Sequence, residues 1–600
     1  MKIFYKSFLL FILIYTSAVS QTISEKEILT LKFKGNADAY NLKYDIATGN
    51  YAYAYNIPDE GRSFIISNKT LSDKYEYIAP EEIIFDSKGN YYAVASDYRA
   101  DYGTNNYFLI VNGKVIKSYD YIEAYSAYIN NKNEYVFIFK EKDIYRLGYY
   151  SPSTGFRQSG EFDNIKATLN SRAASEQMEG DAVAYKEEDF FHNDKNERAF
   201  IATLKGKTKI IFETSVIETQ YSDIHESSLT KNKNNELSFI AKTGGRFYEV
   251  NGNEFAVSGN KEYKKFDIAT APLYFNNNNE PVYIAGDSVL DYKNEYFLVI
   301  GDQKQNAFFD AGRTEPAPPF SYVISDIKIN SDGSINYTAA SEVVVKAENV
   351  IPGEEVYDQY YSRSFFVKDG IANELGYNVN FIKYNDKGDM LYSGIADIAK
   401  KEYLLMLNYG QSRIIISDKK YDDIYDYGFT PSGEIYYTGQ KYGDPEKGIT
   451  SEASMYIGNK PAGSYYNIIY QGSDKNASSL KYDSKNNYSF VAENKIDSVT
   501  FDEFVVTNSE RLPIPENVSN AKYISYISNL MYTKNDKMFY IGDMLIDPVT
   551  YNVTKEVFVD NNSLGKKYNT IYPVSYDEVK NEITYNASRG NKVYFVTVKF

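Results

Sequence analysis

The 600-residue sequence contains no cysteine and no tryptophan, and it has only two histidines, His192 and His225. Without cysteine the chain cannot form a disulfide, a thiolate zinc site or an iron–sulfur cluster, and it cannot carry the acylated cysteine of a bacterial lipoprotein. A histidine-rich metal site or a Ser-His-Asp triad would have to use one of the two histidines. Stability must therefore come from packing and not from covalent cross-links.

Long apolar runs are also scarce. The N-terminus has a lysine-containing start, an apolar run from Phe8 to Ile14 and small residues at Ala18-Val19-Ser20. This order predicts a signal peptide over residues 1–20 and export to the periplasm or out of the cell. No later stretch approaches the ~18 apolar residues of a membrane helix, so no membrane span is predicted.

Basic residues are outnumbered by acidic ones, 65 against 81, which gives a formal net charge of −16. Removal of the predicted signal peptide, with Lys2 and Lys6, makes the chain more acidic still. A nucleic-acid partner is disfavoured, because a phosphate-binding surface needs a basic stripe and the sequence offers only short Lys/Arg pairs.

What the sequence has in abundance is a repeat of eleven residues, such as Phe429-Thr-Pro-Ser-Gly-Glu-Ile-Tyr-Tyr-Thr-Gly439. Its fifth position always holds a residue that tolerates positive φ, as a tight turn between antiparallel strands requires. These predicted turn residues are Gly49, Gly89, Asn133, Asn196, Asn235, Asn279, Gly333, Gly388, Gly433, Asn486, Asp536 and Asn581.

An aromatic residue follows four positions after the turn residue in eleven of the twelve copies, and Ala93 stands in the other. Period-two alternation predicts that these aromatics point into a core. They are Tyr53, Phe137, Phe200, Phe239, Tyr283, Tyr337, Tyr392, Tyr437, Phe490, Tyr540 and Tyr585. Successive turn residues lie 39 to 63 residues apart, a spacing typical of four-stranded propeller blades.

A second element, aromatic-x-x-Ile, precedes the turn in several copies, for example Tyr221-Ser-Asp-Ile224 and Tyr421-Asp-Asp-Ile424. In the clearest copy it follows a hairpin tip, in the run Val111-Asn-Gly-Lys-Val-Ile-Lys-Ser-Tyr-Asp-Tyr-Ile122. The Asn-Gly pair is a strong signal for a two-residue turn.

This run, followed by a turn and an aromatic strand, resembles the WD40-like (PD40-type) repeats of TolB-like β-propeller proteins. The resemblance covers most of the chain, although the usual Ser-Pro-Asp-Gly turn survives only in pieces at Ser331-Asp332-Gly333 and Thr430-Pro431-Ser432-Gly433. It implies a platform for partner proteins and brings no catalytic residues to this sequence.

The predicted fold is therefore all-β, with tandem β-propellers of four-stranded antiparallel blades and about twelve blades in total. A single ring usually has about four to eight blades, so two rings are expected. Six plus six is favoured, with propellers over residues 21–312 and 320–600 separated by the proline cluster of Ala311–Phe320. The alternative is seven plus five, with the boundary in Lys346–Tyr357.

Two further features belong to this prediction. The polar stretch Asn170–Asp181 interrupts the strand pattern and is expected to form a loop. The C-terminal run Lys592–Phe600 is a strong strand, and a ring closes best when the first strand of the chain completes the last blade.

The sequence contains no Gly-x-Ser-x-Gly motif, no phosphate-binding loop and no His-Glu-x-x-His motif. Both His192 and His225 are interpreted as solvated residues near turns. Calcium is conceivable at Asp422, Asp423 and Asp426 or at Asp97 and Asp101, but neither set has the spacing of a dedicated calcium loop. No catalytic, cofactor-binding or metal-binding residues are predicted.

Two functions remain from different classes. The favoured one is a non-enzymatic platform that binds a protein or polysaccharide partner at a propeller face. The alternative is an extracellular polymer-degrading hydrolase or lyase whose carboxylates come from blade loops. Buried carboxylates that converge would favour the enzyme, whereas an exposed tyrosine-rich face would favour the platform.

Overall fold

The computed structural model describes residues 22–32, 36–57, 59–99, 104–169, 189–247, 253–289, 293–310, 323–345, 359–380, 382–398, 403–409, 412–417, 421–444, 449–458, 460–469, 480–497, 500–514, 523–547 and 552–600. In this part of the chain the regular structure is β-strand, apart from the short 3-10 turns Ala39–Asn41 and Pro80–Glu82. Within the same residues, no helix has the length and apolar character needed to cross a membrane.

Fifty strands follow one another along the described residues. The first half are β1 Thr22–Thr30, β2 Leu42–Asp45, β3 Asn50–Ile57, β4 Arg62–Ser67, β5 Tyr77–Ile78, β6 Ile84–Phe85, β7 Tyr91–Arg99, β8 Thr104–Val111, β9 Lys114–Tyr119, β10 Tyr121–Ile129, β11 Tyr135–Glu141, β12 Ile144–Ser151, β13 Gly155–Gln158, β14 Asn164–Ala167, β15 Phe200–Leu204, β16 Lys207–Ile211, β17 Val216–Glu218, β18 Asp223–Ile224, β19 Thr230–Lys231, β20 Leu237–Lys242, β21 Glu254–Ser258, β22 Lys261–Glu262, β23 Ile268–Phe275, β24 Pro281–Val289 and β25 Lys293–Ile300.

The second half are β26 Gln303–Asp310, β27 Ile324–Ile329, β28 Ile335–Val345, β29 Gln359–Lys368, β30 Ile371–Tyr377, β31 Lys383–Tyr384, β32 Met390–Ile395, β33 Tyr403–Tyr409, β34 Ser412–Ile415, β35 Asp423–Phe429, β36 Ile435–Lys441, β37 Glu452–Ile457, β38 Lys460–Tyr465, β39 Asn467–Ile469, β40 Lys481–Tyr482, β41 Tyr488–Lys495, β42 Phe501–Thr507, β43 Glu510–Arg511, β44 Tyr523–Tyr532, β45 Met538–Asp547, β46 Asn552–Val559, β47 Asn562–Tyr568, β48 Thr570–Asp577, β49 Glu582–Arg589 and β50 Lys592–Lys599.

Most sheets are antiparallel and follow chain order, one sheet to a repeat. The sheets are β2-β3-β4, β5-β7-β8-β9, β10-β11-β12-β13, β14-β15-β16-β17, β18-β20-β21-β22, β23-β24-β25-β26, β27-β28-β29-β30-β32-β33-β34, β35-β36-β37-β38, β39-β41-β42-β43, β44-β45-β46-β47 and β48-β49-β50-β1. The short strands β6, β19, β31 and β40 each pair with the strand that follows the turn. In the longest sheet, the single pair Tyr377–Ile395 connects two repeats.

The turn prediction is confirmed at every position. All twelve predicted turn residues have φ between 51° and 91°, the left-handed region that Gly, Asn and Asp adopt at least cost. The eleven predicted aromatics, and Ala93, are all buried. Local sequence therefore determines both the reversal of the chain and the first core residue after it.

The residue three positions before the turn residue has a role that the sequence analysis missed. In the fifth repeat, Oδ1 of Asn232 accepts the backbone N–H groups of Asn234 and Glu236, each at 2.9 Å. Its Nδ2 also donates to Oε2 of Glu236 at 2.8 Å. Such an Asx turn uses the side chain to satisfy backbone donors that the tight turn leaves unpaired.

Turns of successive repeats also contact each other. The N–H of Ser87 donates to Oδ1 of Asn133 in the next repeat at 2.9 Å, and the N–H of Ser484 donates to Oδ1 of Asp536 in the same way at 2.7 Å. A glycine turn residue could not supply this acceptor. The choice of Asn or Asp over Gly at these turns is thus explained by a contact between repeats.

The hydrophobic core lies between neighbouring sheets. Each of the ten described core clusters combines residues of two successive repeats. One example joins Ile201 and Phe212 to Phe239 and Phe255. Sheets that bury their faces against the next sheet along the chain are the blades of a propeller.

The N-terminal strand completes the C-terminal sheet, as predicted. β1 pairs antiparallel with β50, from Thr22 opposite Lys599 to Thr30 opposite Lys592. Burial raises the pKa of Glu25, but hydrogen bonds from Tyr568 and Lys566 and the charge of Arg589 outweigh it and hold this pKa below its usual value. The strand that would be an open edge is therefore paired, as ring closure requires.

Two compact units divide the chain. The terminal unit comprises residues 1–44, 380–393 and 402–600, and the central unit comprises residues 45–379 and 394–401. Seven of the predicted turn residues lie in the central unit and five in the terminal unit. The protein is thus an all-β chain of propeller type, and the number of blades in each ring stays a prediction.

Several sequence predictions fall outside the described residues. These are the signal peptide, the proline cluster Ala311–Phe320, the boundary segment Lys346–Tyr357 and the polar stretch Asn170–Asp181. The proposed propeller limits at residues 312 and 320 therefore stay predictions.

Candidate functional site

The candidate site is built on the strand that precedes the turn in three successive repeats of the central unit. These first strands are β10, β14 and β18. Each contains a buried isoleucine, namely Ile122, Ile165 or Ile224. Because adjacent side chains in a strand point to opposite sides, the residues that flank these isoleucines face away from that core. They are Tyr121, Glu123, Asn164, Lys166, Asp223 and His225.

Charged side chains from these strands come together. Nζ of Lys166 lies 2.6 Å from Oε2 of Glu226, which follows β18 in the next repeat. The charges of Lys166 and Glu226 also act on the carboxyls of Glu123 and Asp223. First strands whose side chains meet across successive sheets are the strands that surround a propeller axis.

The two carboxyls have unusual proton affinities. Burial raises the pKa of Glu123 to about 7, and the charge of Glu226 adds to this, while a hydrogen bond from Ser126 and the charge of Lys166 oppose it. Burial also raises the pKa of Asp223. A carboxyl with a pKa near 7 can hold or release a proton at neutral pH.

A pocket lies between the sheets that begin with β14 and β18. Its lining residues are Asn164, Lys166, Ile201, Thr203, Asp223 and Arg246. The first four come from two register pairs of the fourth repeat, Asn164 opposite Thr203 and Lys166 opposite Ile201. The fifth repeat supplies the facing wall. The pocket therefore combines two cationic side chains, one carboxyl, one amide and one hydroxyl.

The interpretation of His225 as a solvated turn residue is wrong. Its side chain is buried, and its ring meets the ring of Phe247 edge to face at 5.3 Å. Burial lowers the pKa of His225 to about 4, so the imidazole is neutral at pH 7. His225 follows Ile224 directly in the strand register, so strand alternation places it on the face opposite that isoleucine.

His192 lies where the sequence analysis placed it, at the start of the fourth turn. It is half-buried, and its Nδ1 lies 3.0 Å from the carbonyl oxygen of Phe190. The two histidines lie in different repeats. Within the described residues, no group of three or more His, Asp or Glu side chains is placed to hold a metal ion.

The aspartates considered for calcium have protein partners. Asp97 accepts from Arg62 at 3.2 Å and from the N–H of Glu76 at 2.8 Å, and Asp101 lies outside the described residues. Asp422 accepts the N–H of Tyr442 at 2.7 Å.

The other two aspartates of this group, Asp423 and Asp426, belong to the first strand β35. Burial raises the pKa of Asp423, and Asp426 is buried. Asp423, directly before Ile424, therefore occupies the strand position that Asp223 has before Ile224, and both aspartates lie in a strand and not in a calcium loop.

The terminal unit has a buried acid of its own. Oε2 of Glu503 accepts the N–H of Ile527 in the next repeat at 2.6 Å, and Glu493 is its register partner across β41 and β42. Burial raises the pKa of Glu503 to about 7. Its bond to the backbone of a neighbouring sheet gives this residue a structural role.

Exposed tyrosines are a second feature of the first strands. In the central unit, Tyr77 is 53% exposed on β5 and Tyr125 is 68% exposed on β10. Tyr98 is also exposed, and it lies on β7 near Ser96, the register partner of Tyr77. In the terminal unit, Tyr572 is exposed on β48 and packs against Tyr40 with ring centroids 5.0 Å apart.

Neither a protein-family model nor a curated protein matches the sequence. The solved structures that it is similar to include the Dos1 propeller, at 11% identity and a TM-score of 0.22, with 68% of this chain and 90% of that chain covered. Another is the β-propeller domain of the trilobed protease from Pyrococcus furiosus, at 9% identity, a TM-score of 0.21 and coverage of 61% and 93%.

A third is the acylaminoacyl peptidase of Pyrococcus horikoshii, at 11% identity and a TM-score of 0.20, with 70% of this chain and 58% of that chain covered. At these identities and scores the similarities say nothing about activity. The fold assignment rests on the sheet order and on the cores between sheets.

Proposed function

We propose that the protein is an exported, non-enzymatic β-propeller protein that binds a protein or polysaccharide partner at the face formed by its first strands. The observation that carries this proposal is the exposure of Tyr77 on the first strand β5, of Tyr98 on the adjacent strand β7, and of Tyr125 on the first strand β10 of the next sheet. The repeat aromatics that follow the turns are buried, whereas these three residues are 53%, 56% and 68% exposed. Tyrosine gives a large contact area at a low cost in side-chain entropy.

Other features support export and binding. The N-terminal residues have the order of a signal peptide, and a mature chain that begins near Gln21 would retain β1 complete. The TolB-like resemblance of the repeats is that of proteins that act as binding platforms. The net negative charge argues against nucleic acid as the partner.

The test compares the mature chain, residues 21–600, with a variant that carries Tyr77→Ala, Tyr98→Ala and Tyr125→Ala. Both are immobilised and exposed to purified envelope proteins and to polysaccharides of defined composition. The platform proposal expects a saturable partner whose binding weakens at least about tenfold in the variant. Equal binding by the two chains, or no saturable partner, would contradict it.

A matched control comes from the outer part of the same unit. Ile371 is 68% exposed on β30, the last strand of its repeat. The variant Ile371→Ala removes exposed apolar area away from the first strands. It should bind as the unaltered chain does.

A second function, a hydrolase or lyase that acts on an extracellular polymer, is favoured by one observation. Glu123 has a pKa of about 7 and is influenced by the charges of Lys166 and Glu226, which is the setting of a general acid. The discriminating measurement is release of reducing ends or unsaturated products from the bound polysaccharide. Turnover that is lost in Glu123→Gln would establish the enzyme, and binding without turnover would establish the platform.

A further inference from the structure

A chain without cysteine can still be cross-linked by an amide bond between two side chains. The reaction needs an amine and a carboxyl that are in contact and shielded from water. In the central unit, Lys242 on β20 and Glu254 on β21 meet both conditions. Nζ of Lys242 lies 3.0 Å from Oε1 of Glu254, and both side chains are buried.

The strand register holds the two groups together. Lys242 and Glu254 are register partners on adjacent antiparallel strands, so their side chains stand on the same face of the sheet. Oε2 of Glu254 also accepts the N–H of Ala269 at 2.7 Å, which fixes the carboxyl in place. Reacting groups held in a suitable geometry behave as if their concentration were about 10⁵ M or more.

The surroundings disfavour two separate charges. Ile240 and Ala256 lie two positions from Lys242 and Glu254 along the same strands, and both belong to the core cluster that contains Phe266. Strand alternation puts all four side chains on the core side of these strands. Keeping an ammonium and a carboxylate out of water is costly, whereas an amide bond between them carries no charge.

The carboxyl is also shifted towards the form that reacts. Burial raises the pKa of Glu254, hydrogen bonds from Ala269 and Lys242 and the charge of Lys242 oppose this rise, and the charge of Asp223 adds to it. Asp223 is the register partner of Lys242 on the other neighbouring strand. A raised pKa increases the share of the neutral carboxylic acid, which an amine can convert into an amide.

We propose that Lys242 and Glu254 form an intramolecular amide cross-link. The ion pair is the starting state, and transfer of one proton from the ammonium to the carboxylate gives an amine and a carboxylic acid. Nζ then attacks Cδ of Glu254, and the bond from Cδ to the protonated oxygen breaks. That oxygen leaves as water with the proton it received and one of the two amine protons, so no further reactant is needed.

The experiment is intact mass spectrometry of the denatured mature chain, first after purification and then over several days at neutral pH. We expect a species that is lighter than the sequence by one water molecule. A tryptic digest should contain the peptides of Lys242 and Glu254 as one branched species. Trypsin should not cleave after Lys242 in that species, because the acylated side chain has lost its charge.

An internal control is present in the preceding sheet. Lys209 and Glu218 are also register partners, on β16 and β17, and Nζ of Lys209 lies 2.8 Å from Oε1 of Glu218. The side chain of Glu218 is 68% exposed, so water solvates its charge. The peptides of Lys209 and Glu218 should therefore stay separate in the same digest.

Variants assign the change in mass to the pair. Lys242→Met removes the amine and should keep its full sequence mass. Glu254→Gln can form the same amide only by releasing ammonia, so a link in this variant would change the mass by one ammonia and not by one water. Circular dichroism verifies that each variant is folded, and the unaltered chain decides the question even where a variant does not fold.

An unchanged mass of the unaltered chain throughout the incubation would overturn the inference. Cyclisation of an aspartate also releases water, so a loss that the digest places at another residue, or that persists in folded Lys242→Met, would overturn it as well. The proposed binding function does not depend on this cross-link and is tested by the tyrosine variants.

Discussion

The rings of Tyr92 and Tyr135, from successive repeats of the central unit, are stacked with centroids 5.0 Å apart and planes 4° apart. Their hydroxyls differ. That of Tyr92 donates to Oδ2 of Asp86 at 3.0 Å, whereas that of Tyr135, which is fully buried, has no hydrogen-bond partner among the described residues. One stacked pair therefore contains a satisfied and an unsatisfied phenol.

This difference predicts opposite effects for the same substitution. Tyr135→Phe removes a buried hydroxyl that makes no hydrogen bond among the described residues. The free energy of unfolding should therefore stay constant or rise by about 1 kcal/mol. Tyr92→Phe loses a hydrogen bond to a carboxylate and should lower it by about 1 to 2 kcal/mol. Urea unfolding followed by circular dichroism measures both. A loss of stability in Tyr135→Phe equal to that in Tyr92→Phe would contradict the assignment.

A buried ion pair offers a second test. Nζ of Lys242 lies 3.0 Å from Oε1 of Glu254, and the two side chains are 0% and 4% exposed. Lys242→Met leaves the carboxyl of Glu254 buried without its cation and should cost about 3 to 5 kcal/mol.

The double variant should recover much of this loss. Glu254→Gln removes the charge but keeps an oxygen for the N–H of Ala269, which now donates to Oε2 at 2.7 Å. Lys242→Met with Glu254→Gln is therefore expected to be more stable than Lys242→Met alone. Additive losses in a double-mutant cycle would show that the two residues act independently.

Acid sensitivity should depend on His225. Burial lowers its folded pKa to about 4, while an unfolded histidine has a pKa of about 6.5. Between these values the unfolded chain binds a proton that the folded chain does not, so stability falls as the pH drops from about 6.5 towards 4. His225→Gln should flatten this part of the stability profile, and the half-buried His192 supplies the control His192→Gln. Parallel pH profiles for the unaltered chain and His225→Gln would contradict this.

The turns and the core aromatics could be predicted because they depend on neighbours in sequence. A turn residue such as Gly433 needs only a tolerance for positive φ, and Tyr437 four positions later needs only strand alternation. The candidate site could not be predicted in this way. Glu123, Lys166 and Asp223 lie in three different repeats, and only the packing of successive sheets brings their first strands together.

Some of the missing information was nevertheless in the sequence. The aromatic-x-x-Ile element identified the buried isoleucine, and the residues beside it had to face the other side of the strand. Applying that rule to Tyr221-Ser-Asp-Ile224 would have marked Asp223 and His225 as residues of the first-strand face. Strand alternation could not have predicted why Asn, and not Gly, stands at position 133. The hydrogen-bond partner of Asn133, Ser87, belongs to another repeat.

That contact makes Asn133 informative to mutate. Its φ is 60°, and its Oδ1 accepts from the N–H of Ser87. Asn133→Gly keeps the backbone conformation and loses the side-chain bond, whereas Asn133→Ala also adds left-handed strain of about 1 to 2 kcal/mol. Stability should fall in the order unaltered chain, Asn133→Gly, Asn133→Ala.

The cost of the left-handed backbone conformation can be measured separately at another turn. Gly388 has a φ of 83°, and an added Cβ would meet no atom within 4 Å. Gly388→Ala should therefore show the backbone cost without a steric clash or a lost bond. If it is as stable as the unaltered chain, left-handed strain cannot account for a difference between Asn133→Gly and Asn133→Ala, because both variants lose the same hydrogen bond.

The closure between the two ends of the chain gives the last prediction. Deletion of residues 592–600 removes β50, which lies between β49 and β1 in its sheet. β1 would lose its hydrogen-bonding partner, and β49 would become an open edge that can pair with another molecule. The truncated chain should melt at a lower temperature and form concentration-dependent aggregates in light scattering.

Double replacement of Val593 and Val596 by Ala is the control, because it keeps the strand but removes buried side chains. This variant should have a lower melting temperature without the aggregation. A truncated chain with unchanged melting and solubility would show that the terminal strands do not close the ring.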